Sequence, residues 1–487
     1  MSNLTKDPFL AGLTCPTQGW FRQHRGGEPP TWDLRWRFFQ GQEIHRLAAD
    51  WSGPGVMLRR AGVKEAAEAT REALASGAAD RYYEATFLSA GCAARADIVR
   101  RDAAGWAIVE VKSGKTPKAG EPPSDEYLGD LAYTVMVARG AGLAVGSARL
   151  LLVNRDFRAG VPGTTLFAEL DVTDLVAPLV EAFAACAPVL TAQLTADAPP
   201  APRFIPACKS CDYFTDDCLG REIPDPVFLL PGLRGKRFEA LAPYRRIANL
   251  PMDVDLTANQ REVFDLLRIG EPRVDHVALG ALDRIEWPAR YLDFETAMPA
   301  LPWHDGDGPY TTVLTQYSVH HREAPGAPPR HTAHLVELDR DGRRELIERL
   351  LADLGDRGSV MMYSSYEQQR LGDAMALFPD LRADIERVIT RLFDLEPLFK
   401  KAYRHPGFLG RSSIKYVLPA LIPELRYDGL AVGNGGDASG LIALMKRGQV
   451  PAMEHERHRR DLLAYCERDT LAMVRLHDKL LEVRGRP

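Results

Sequence analysis

The sequence has no uninterrupted apolar run that approaches the roughly 20 residues of a membrane-spanning helix. Its first residues, MSNLTKDPFLAG, lack the basic start and the long apolar core of a signal peptide. We therefore expect a cytoplasmic protein with no membrane partner.

Positive charge is not in excess, because 61 Lys and Arg residues face 66 Asp and Glu residues and the net charge is −5. This balance excludes a general attraction for nucleic acid, so a nucleic-acid enzyme would need local basic patches. Cysteine is also scarce, with seven in 487 residues. In a cytoplasmic protein we do not expect these cysteines to form a disulfide framework.

The stretch from Tyr83 to Lys112 predicts two strands separated by a turn at residues 102–105. Glu110 and Lys112 are two positions apart and project from one face of a strand, and Asp97 comes from the neighbouring strand. Two carboxylates can hold a divalent cation such as Mg²⁺. A lysine beside it can orient or help deprotonate a water and stabilise the transition state. The alternative interpretation is an amphipathic hairpin with solvated charges.

Three cysteines crowd into the sequence ACKSCDYFTDDC with the spacing C-x(2)-C-x(6)-C, namely Cys208, Cys211 and Cys218. Structural zinc and iron–sulfur clusters both need four ligands. Cys15 can be the fourth ligand if the two ends of the domain meet. The other three cysteines are expected to be buried small side chains.

The spacing D-x(12)-E-x-K resembles the PD-(D/E)XK nuclease core, in its RecB-like branch. A predicted helix over residues 31–50 contains His45, and the resemblance implies that this histidine is a further ligand of the catalytic metal. One cysteine before the core and three after it resemble the iron-staple nucleases, which include CRISPR-associated exonucleases and AddB-type subunits. That likeness implies a 4Fe–4S cluster, with zinc as the second choice. Thr134, on a predicted helix, stands where many relatives have glutamine.

A second group of acids begins in the sequence YLDFET, where Asp293 and Glu295 share one face of a predicted strand. Tyr465 and Asp469 are four positions apart on one face of a predicted helix near the end of the sequence. This order resembles the DEDD exonucleases of the RNase H-like superfamily.

The DEDD resemblance implies four carboxylates around two metal ions, with Tyr465 orienting the attacking water. The usual second-motif aspartate is replaced by Glu367, on a strand predicted over residues 359–371, and Asp394 is the second choice for this position. The region 225–485 also looks like an uncharacterised bacterial domain family that is often joined to the iron–sulfur nuclease domain.

The sequence therefore predicts an α/β protein with three parts. They are a RecB-like PD-(D/E)XK nuclease domain with a cysteine staple at 1–222, a helical connector at 223–285, and an RNase H-like DEDD exonuclease-type domain at 286–487. A flexible turn is expected at residues 433–436, because GNGG lacks the Lys-Ser/Thr of a phosphate loop.

The expected function is Mg²⁺- or Mn²⁺-dependent hydrolysis of phosphodiester bonds in DNA, acting on ends or single strands in repair or defence. The alternative is a nucleic-acid-binding scaffold in which one or both sites are inactive. The expected partner is nucleic acid, and the sequence names no protein partner.

Overall fold

The computed structural model describes residues 3–27, 29–425, 427 and 429–485, and the chain folds as two compact units of mixed α/β structure. Unit 1 is built within residues 1–30, 37–222 and 299–311, and unit 2 within 31–36, 223–298 and 312–487. The expected α/β class is confirmed by a mixed sheet in each unit. Residues 223–285, expected as a connector, lie inside unit 2.

The helices that begin before residue 223 are α1 (Lys6–Thr14), α2 (Pro16–His24), α3 (Trp32–Ser52), α4 (Val63–Ser76), α5 (Asp125–Gly140), α6 (Thr173–Leu194) and α7 (Phe214–Asp217). The strands of unit 1 are β1 (Val56–Met57), β2 (Arg81–Ser89), β3 (Cys92–Asp102), β4 (Gly105–Lys115), β5 (Val145–Val153) and β6 (Phe167–Asp171). The predicted helix over 31–50 corresponds to α3, and the predicted helix that carries Thr134 corresponds to α5.

The six strands of unit 1 form one sheet in the order β1-β2-β3-β4-β5-β6, with β1/β2 and β4/β5 parallel and the other pairs antiparallel. The connection from β4 to β5 runs through α5, as a parallel crossover requires. One core includes Ile108, Leu131 and Leu150, and a second core includes Ile44 of α3 with Ile98 and Val109. The sheet is therefore covered by apolar side chains on both faces.

The β3–β4 hairpin forms as predicted. Asp102 Oδ1 accepts a 2.9 Å hydrogen bond from the Ala104 N–H, and Gly105 has φ +118°, a value that L-residues with side chains rarely adopt. This turn sets the register that pairs Ile98 with Val109.

Helix α6 is long and apolar enough to cross a membrane by length and composition, although the sequence reading found no such uninterrupted run. Its buried positions include Val176, Val180, Phe183 and Leu190, and they join the core of unit 1. One side of α6 therefore packs against the core of unit 1.

The remaining helices are α8 (Gly235–Leu241), α9 (Ala258–Ile269), α10 (His276–Leu279), α11 (Arg343–Leu354), α12 (Tyr366–Leu377), α13 (Arg382–Ile389), α14 (Ile414–Leu421), α15 (Gly435–Lys446) and α16 (His455–Arg484). The strands of unit 2 are β7 (Arg273–Val274), β8 (Ala289–Ala297), β9 (Val313–Arg322), β10 (Arg330–Leu335), β11 (Val360–Met362), β12 (Leu392–Asp394) and β13 (Tyr403–Arg404).

The main sheet of unit 2 has the order β10-β9-β8-β11-β12. Strands β10, β9 and β8 are antiparallel neighbours, and β11 is parallel to both β8 and β12. Helix α16 lies along β8 and β9. Thr470 Oγ1 of α16 is 2.8 Å from Ser318 Oγ of β9, and His477 Nδ1 of α16 is 2.7 Å from the Tyr291 hydroxyl of β8. The central strand β8 carries Asp293 and Glu295, and the helix α16 carries Asp469.

Two local predictions in unit 2 were wrong. The strand predicted over 359–371 ends at Met362, Ser364 has φ +85°, and Glu367 lies in the first turn of α12. The expected flexible turn at 433–436 instead starts α15, because the Asn434 side chain accepts a 3.0 Å hydrogen bond from the Asp437 N–H. An asparagine N-cap is a recognised start signal, and it outweighs the turn tendency of the two glycines that follow.

Candidate metal centres

The first candidate centre lies where strands β3 and β4 of unit 1 separate. The register that pairs Ile98 with Val109 places Asp97 opposite Glu110, one position beyond the last paired residues. Asp97 Oδ2 accepts a 2.7 Å hydrogen bond from the Val111 N–H. At this point the Asp97 carboxylate therefore takes the place of a backbone carbonyl as the acceptor between the two strands. The two carboxylates predicted from the hairpin are therefore neighbours.

Helix α3 brings His45 to the same place, with Nδ1 3.4 Å from Asp97 Oδ1. His45, Asp97, Glu110 and Lys112 all line one cavity of about 510 Å³. Burial raises the pKa of Asp97 to about 6, repulsion from Glu110 adds to this shift, and His45 opposes it. The structure thus brings together all four residues that were predicted for this centre.

Lys112 is held by two carboxylates. Its Nζ lies 3.1 Å from Glu110 Oε1, and it also donates to Asp130 of α5. Burial lowers the pKa of Lys112, but Glu110 and Asp130 outweigh that effect and leave the pKa above its ordinary value. The ammonium form is therefore favoured, and it suits Lys112 to orient a water and offset negative charge rather than to remove a proton.

Sequence reasoning missed two further charged residues of this centre, Lys6 and Asp130. Lys6 Nζ lies 2.5 Å from Glu110 Oε1 and 3.7 Å from Asp130 Oδ2. Lys6 is 104 positions from Glu110, and nothing in the local pattern points to it. Asp130 lies one helical turn before Thr134, whose Oγ1 donates to the Asp130 carbonyl at 3.2 Å, so a helical spacing argument would have found it.

Glu84 of β2 is a third residue that was not predicted. It lies opposite Asp97, has φ +58°, and its carboxylate forms a group with His45 and Asp97 in which all ligand atoms lie within 4.8 Å of one another. Arg95 Nε is 2.8 Å from Glu84 Oε2. A left-handed backbone at a non-glycine strand residue is strained, and such strain is concentrated at functional sites.

The side chains of this first centre fit a divalent cation. Glu110 is 2% exposed, and its Oε2 is buried with no hydrogen-bond partner among the described residues. A buried carboxylate oxygen without a donor is costly, and a cation is one group that would satisfy it. His45, Glu84 and Asp97 have all their ligand atoms within 4.8 Å of one another, and Glu110 is an electrostatic neighbour of Asp97. These side chains offer the oxygen and imidazole ligands that Mg²⁺ and Mn²⁺ accept.

The second candidate centre lies between β8 and α16 of unit 2. Burial raises the pKa of Asp293 well above its usual range, and the nearby charges of Asp469, Glu295 and Glu367 raise it further. The buried thiol of Cys466 lies 3.3 Å from Asp293 Oδ2. The predicted acids are therefore electrostatic neighbours, although 176 positions along the chain separate Asp293 from Asp469.

Glu367 suits the fourth acidic position better than Asp394 does. Glu367 is 3% exposed, its Oε2 is buried without a partner among the described residues, and its pKa is raised to about 8, mainly by burial. Asp394 Oδ1 instead accepts hydrogen bonds of 2.9 Å from the backbone N–H groups of Ser364 and Glu396. Asp394 therefore anchors the loop before α12, while Glu367 has an oxygen available for a cation.

Asp469 is approached by two tyrosines. Tyr427 donates to Asp469 Oδ1, and the rings of Tyr427 and Tyr465 lie 5.8 Å apart. Burial raises the pKa of Asp469 to about 6, while hydrogen bonds from both tyrosines and the charge of Lys415 oppose that shift. Tyr465 was predicted here, whereas Tyr427 and Lys415 come from a loop and a helix that carry no recognisable spacing signal.

The carboxylates of the second centre also fit divalent cations. Asp293, Glu295, Glu367 and Asp469 repel one another, and each has a raised pKa. Glu295 and Glu367 are buried, while Asp293 and Asp469 are partly buried. Clustered buried carboxylates of this kind are costly unless they bind protons or cations.

The four predicted cluster cysteines are neighbours in unit 1. Burial raises the pKa of the Cys218 thiol, and Cys208, Cys15 and Cys211 raise it further, so all four sulfurs act on one another. Two groups of metal-ligand side chains among the described residues have all ligand atoms within 4.8 Å of one another, and neither contains these cysteines. Tetrahedral zinc, with Zn–S of about 2.3 Å, would hold sulfurs about 3.8 Å apart. No three of these sulfurs therefore lie as close together as a single zinc ion would hold them.

Packing joins the cysteine loop to α2. Phe21 stacks on Tyr213 with ring centroids 4.9 Å apart, and Arg25 Nη1 lies 2.5 Å from Asp217 Oδ2.

The remaining cysteines differ from one another. Cys92 is buried as expected, Cys186 is only partly buried, and Cys466 is buried but contacts Asp293. Cys466 therefore contacts a predicted acid of the second centre.

Comparison with known proteins gives two matches. A family model described as a domain of unknown function, DUF2779, matches residues 290–413, which include Asp293, Glu295 and Glu367. The chain is also 22% identical over 247 residues to the uncharacterised protein UU173 of Ureaplasma parvum, and this match covers 46% of the chain. The chain spans 36% of that relative's length.

Proposed function

We propose that this protein is a metal-dependent nuclease with one centre in each unit. Unit 1 would act as a RecB-like PD-(D/E)XK nuclease, and unit 2 as an RNase H-like exonuclease of the DEDD type. The observation that carries the proposal is the cavity of about 510 Å³ that holds His45, Asp97, Glu110 and Lys112 together.

The carboxylates of each centre would hold Mg²⁺ or Mn²⁺, which act as Lewis acids towards a phosphodiester and acidify the attacking water. Lys112 Nζ would donate hydrogen bonds to the water or to the phosphate and offset the negative charge that develops there. Asp130 holds Lys112 in place for this role. In the second centre, the Tyr465 hydroxyl beside Asp469 would orient the attacking water.

The charge of the first cavity suits a nucleic-acid backbone. Besides the carboxylates, the cavity is lined by Lys6, Lys112, Arg60 and Arg95. Cations around a metal-binding carboxylate pair favour a phosphodiester over a neutral substrate. An attraction for a phosphate backbone would arise from this local group, since the net charge of −5 gives no general attraction. We take DNA as the substrate, cut at its ends or in single strands.

We also propose a 4Fe–4S cluster held by Cys15, Cys208, Cys211 and Cys218, with zinc as the alternative. Its support is the convergence of four free thiols whose sulfurs are spaced more widely than a single zinc ion requires. Such a cluster would tie α1 to the loop that follows α6.

A time course with labelled single-stranded DNA, double-stranded DNA and RNA tests the activity. We expect cleavage of DNA with Mg²⁺ or Mn²⁺ and none after chelation. If the protein binds DNA but cleaves none of the substrates, the result would support the scaffold alternative and contradict the proposal.

A further inference from the structure

The chain just before Lys6 is fixed by three backbone contacts. Leu4 is fully buried, and its N–H donates to the Gly91 carbonyl at 2.8 Å. The Leu4 carbonyl accepts from the Ala93 N–H at 2.8 Å and from the Tyr133 hydroxyl at 2.7 Å. The start of β3 and the helix α5 therefore hold this segment in place.

The helix that follows is anchored as firmly. Lys6 is the first residue of α1, and the fully buried Phe9 packs with its ring centroid 4.9 Å from Tyr133 and 5.6 Å from Phe183. Contacts on both sides thus fix the position of the Lys6 backbone, and only the Lys6 side chain can change its conformation. A surface lysine would not require such anchoring.

The side chain of Lys6 reaches into the first centre. Its Nζ lies 2.5 Å from Glu110 Oε1, and Lys112 Nζ lies 3.1 Å from the same oxygen. Both lysines therefore use Oε1, and Oε2 is left buried without a partner among the described residues. Lys6 is 32% exposed and lines the cavity. Of the two lysines, only Lys112 is within 3 Å of Asp130.

We propose that Lys6 is a positioning residue of the first centre, which binds Oε1 of Glu110 and so fixes the carboxylate with Oε2 available to the divalent cation. Carboxylates that bind metals are commonly oriented by such outer hydrogen bonds, and loss of the outer partner costs about 10–100-fold in metal affinity or activity. This inference rests on the proposed metal-dependent function of unit 1.

The test uses the full chain carrying Asp293→Asn and Asp469→Asn, so that Mn²⁺ binding reports the first centre. In this background we compare Lys6→Met, Lys6→Gln and Lys6→Arg with Lys118→Met, a change at an exposed lysine outside the cavity. Electron paramagnetic resonance of free Mn²⁺ gives the dissociation constant, single-turnover cleavage gives the rate, and thermal melting checks the fold.

We expect Lys6→Met and Lys6→Gln each to raise the Mn²⁺ dissociation constant about tenfold and to slow cleavage about 10–100-fold. Lys6→Arg should recover part of both losses, and Lys118→Met should match the parent. A purely structural role would lower the melting temperature without changing Mn²⁺ affinity in the folded protein. Unchanged or tighter Mn²⁺ binding by both Lys6→Met and Lys6→Gln would overturn the proposal.

Glu110→Ala separates this inference from the function on which it rests. If the parent binds Mn²⁺ no better than Glu110→Ala, the metal centre itself is absent. If Glu110→Ala loses binding while the Lys6 variants retain it, the centre exists and only the role of Lys6 is refuted.

Discussion

Glu110 and Lys112 illustrate how two residues on one strand face acquire different roles. Glu110 is 2% exposed and is kept ionised by two lysines, while Lys112 is shared between Glu110 and Asp130. Within the part of the chain that the structure describes, Glu110 Oε2 is buried without a donor, and that atom distinguishes this arrangement from an ion-pair cluster in which every acceptor is satisfied.

At Lys112 we predict that Lys112→Ala slows cleavage by the first centre about 100-fold or more, because a preorganised donor to the developing charge is lost. The measurement is single-turnover cleavage in the Asp293→Asn background, with melting to confirm the fold. Lys118→Ala is the matched control. A Lys112→Ala rate within about twofold of the parent would be incompatible with this role.

The raised carboxyl pKa values predict a pH-dependent response to cations. A carboxyl whose pKa is raised on folding binds its proton more tightly in the folded state, so its contribution to stability is lost as pH rises through that pKa. The values are about 6 for Asp97 and Asp469 and about 8 for Glu367. Ionised carboxylates are then free to bind Mg²⁺, which stabilises the folded state.

We therefore expect Mg²⁺ to raise the melting temperature more at about pH 8 than at about pH 5.5. Differential scanning fluorimetry with and without the cation measures this difference. The Asp97→Ala/Asp293→Asn protein is the control and should show a small response at both pH values. An equal or larger Mg²⁺ response of the parent at the lower pH would contradict the assignment of these carboxylates as ligands.

Among the elements, α16 places Tyr465 and Asp469 on one face, and the loop residue Tyr427 adds a second hydroxyl to the same carboxylate. Tyr465→Phe should slow exonuclease action by the second centre about tenfold with little loss of metal binding, because it removes a water-orienting group and no ligand. The assay uses the Asp97→Ala background, with the exposed Tyr244→Phe as control. Loss of Mn²⁺ binding together with the rate would argue against a water-orienting role.

Helix α1 connects the cysteines to the first centre, because it begins at Lys6 and ends next to Cys15. Cys15→Ser should remove a visible iron–sulfur absorption and lower the melting temperature by about 2–4 °C for each kcal/mol of stability lost. Anaerobic purification, absorption spectroscopy and metal analysis check this, with Cys186→Ser as control. Colourless protein with stoichiometric zinc would reject iron and keep the ligand set, and no metal at all would reject both.

Local patterns sufficed for some elements and failed for others. The β3–β4 hairpin and helices α3, α5 and α16 follow from short-range periodicity and turn residues. Lys6 and Tyr427 could not be predicted, because their roles arise from contacts between distant parts of the chain. Asp130 and the Asn434 cap were within reach, since helical spacing and capping preference both mark them.

At the scale of the whole molecule, each unit contains one complete candidate centre. Asp97, Glu110, Lys112 and the four cluster cysteines all belong to unit 1, and the acids of the DEDD-type group all belong to unit 2. Residues 31–36 belong to unit 2 and residues 299–311 belong to unit 1, and neither segment carries a predicted site residue. Each centre can therefore be disabled without altering a residue of the other.

The most direct test of two metal-dependent nuclease centres is cleavage of labelled DNA by four full-length proteins under one set of conditions. They are the parent, Asp97→Ala, Asp293→Asn and the double variant, with the exposed Asp80→Ala as control. We predict that each single variant retains a distinct part of the Mn²⁺-dependent cleavage and that the double variant retains none. Full cleavage by the double variant, or no cleavage by the parent with any DNA or RNA substrate, would contradict the account.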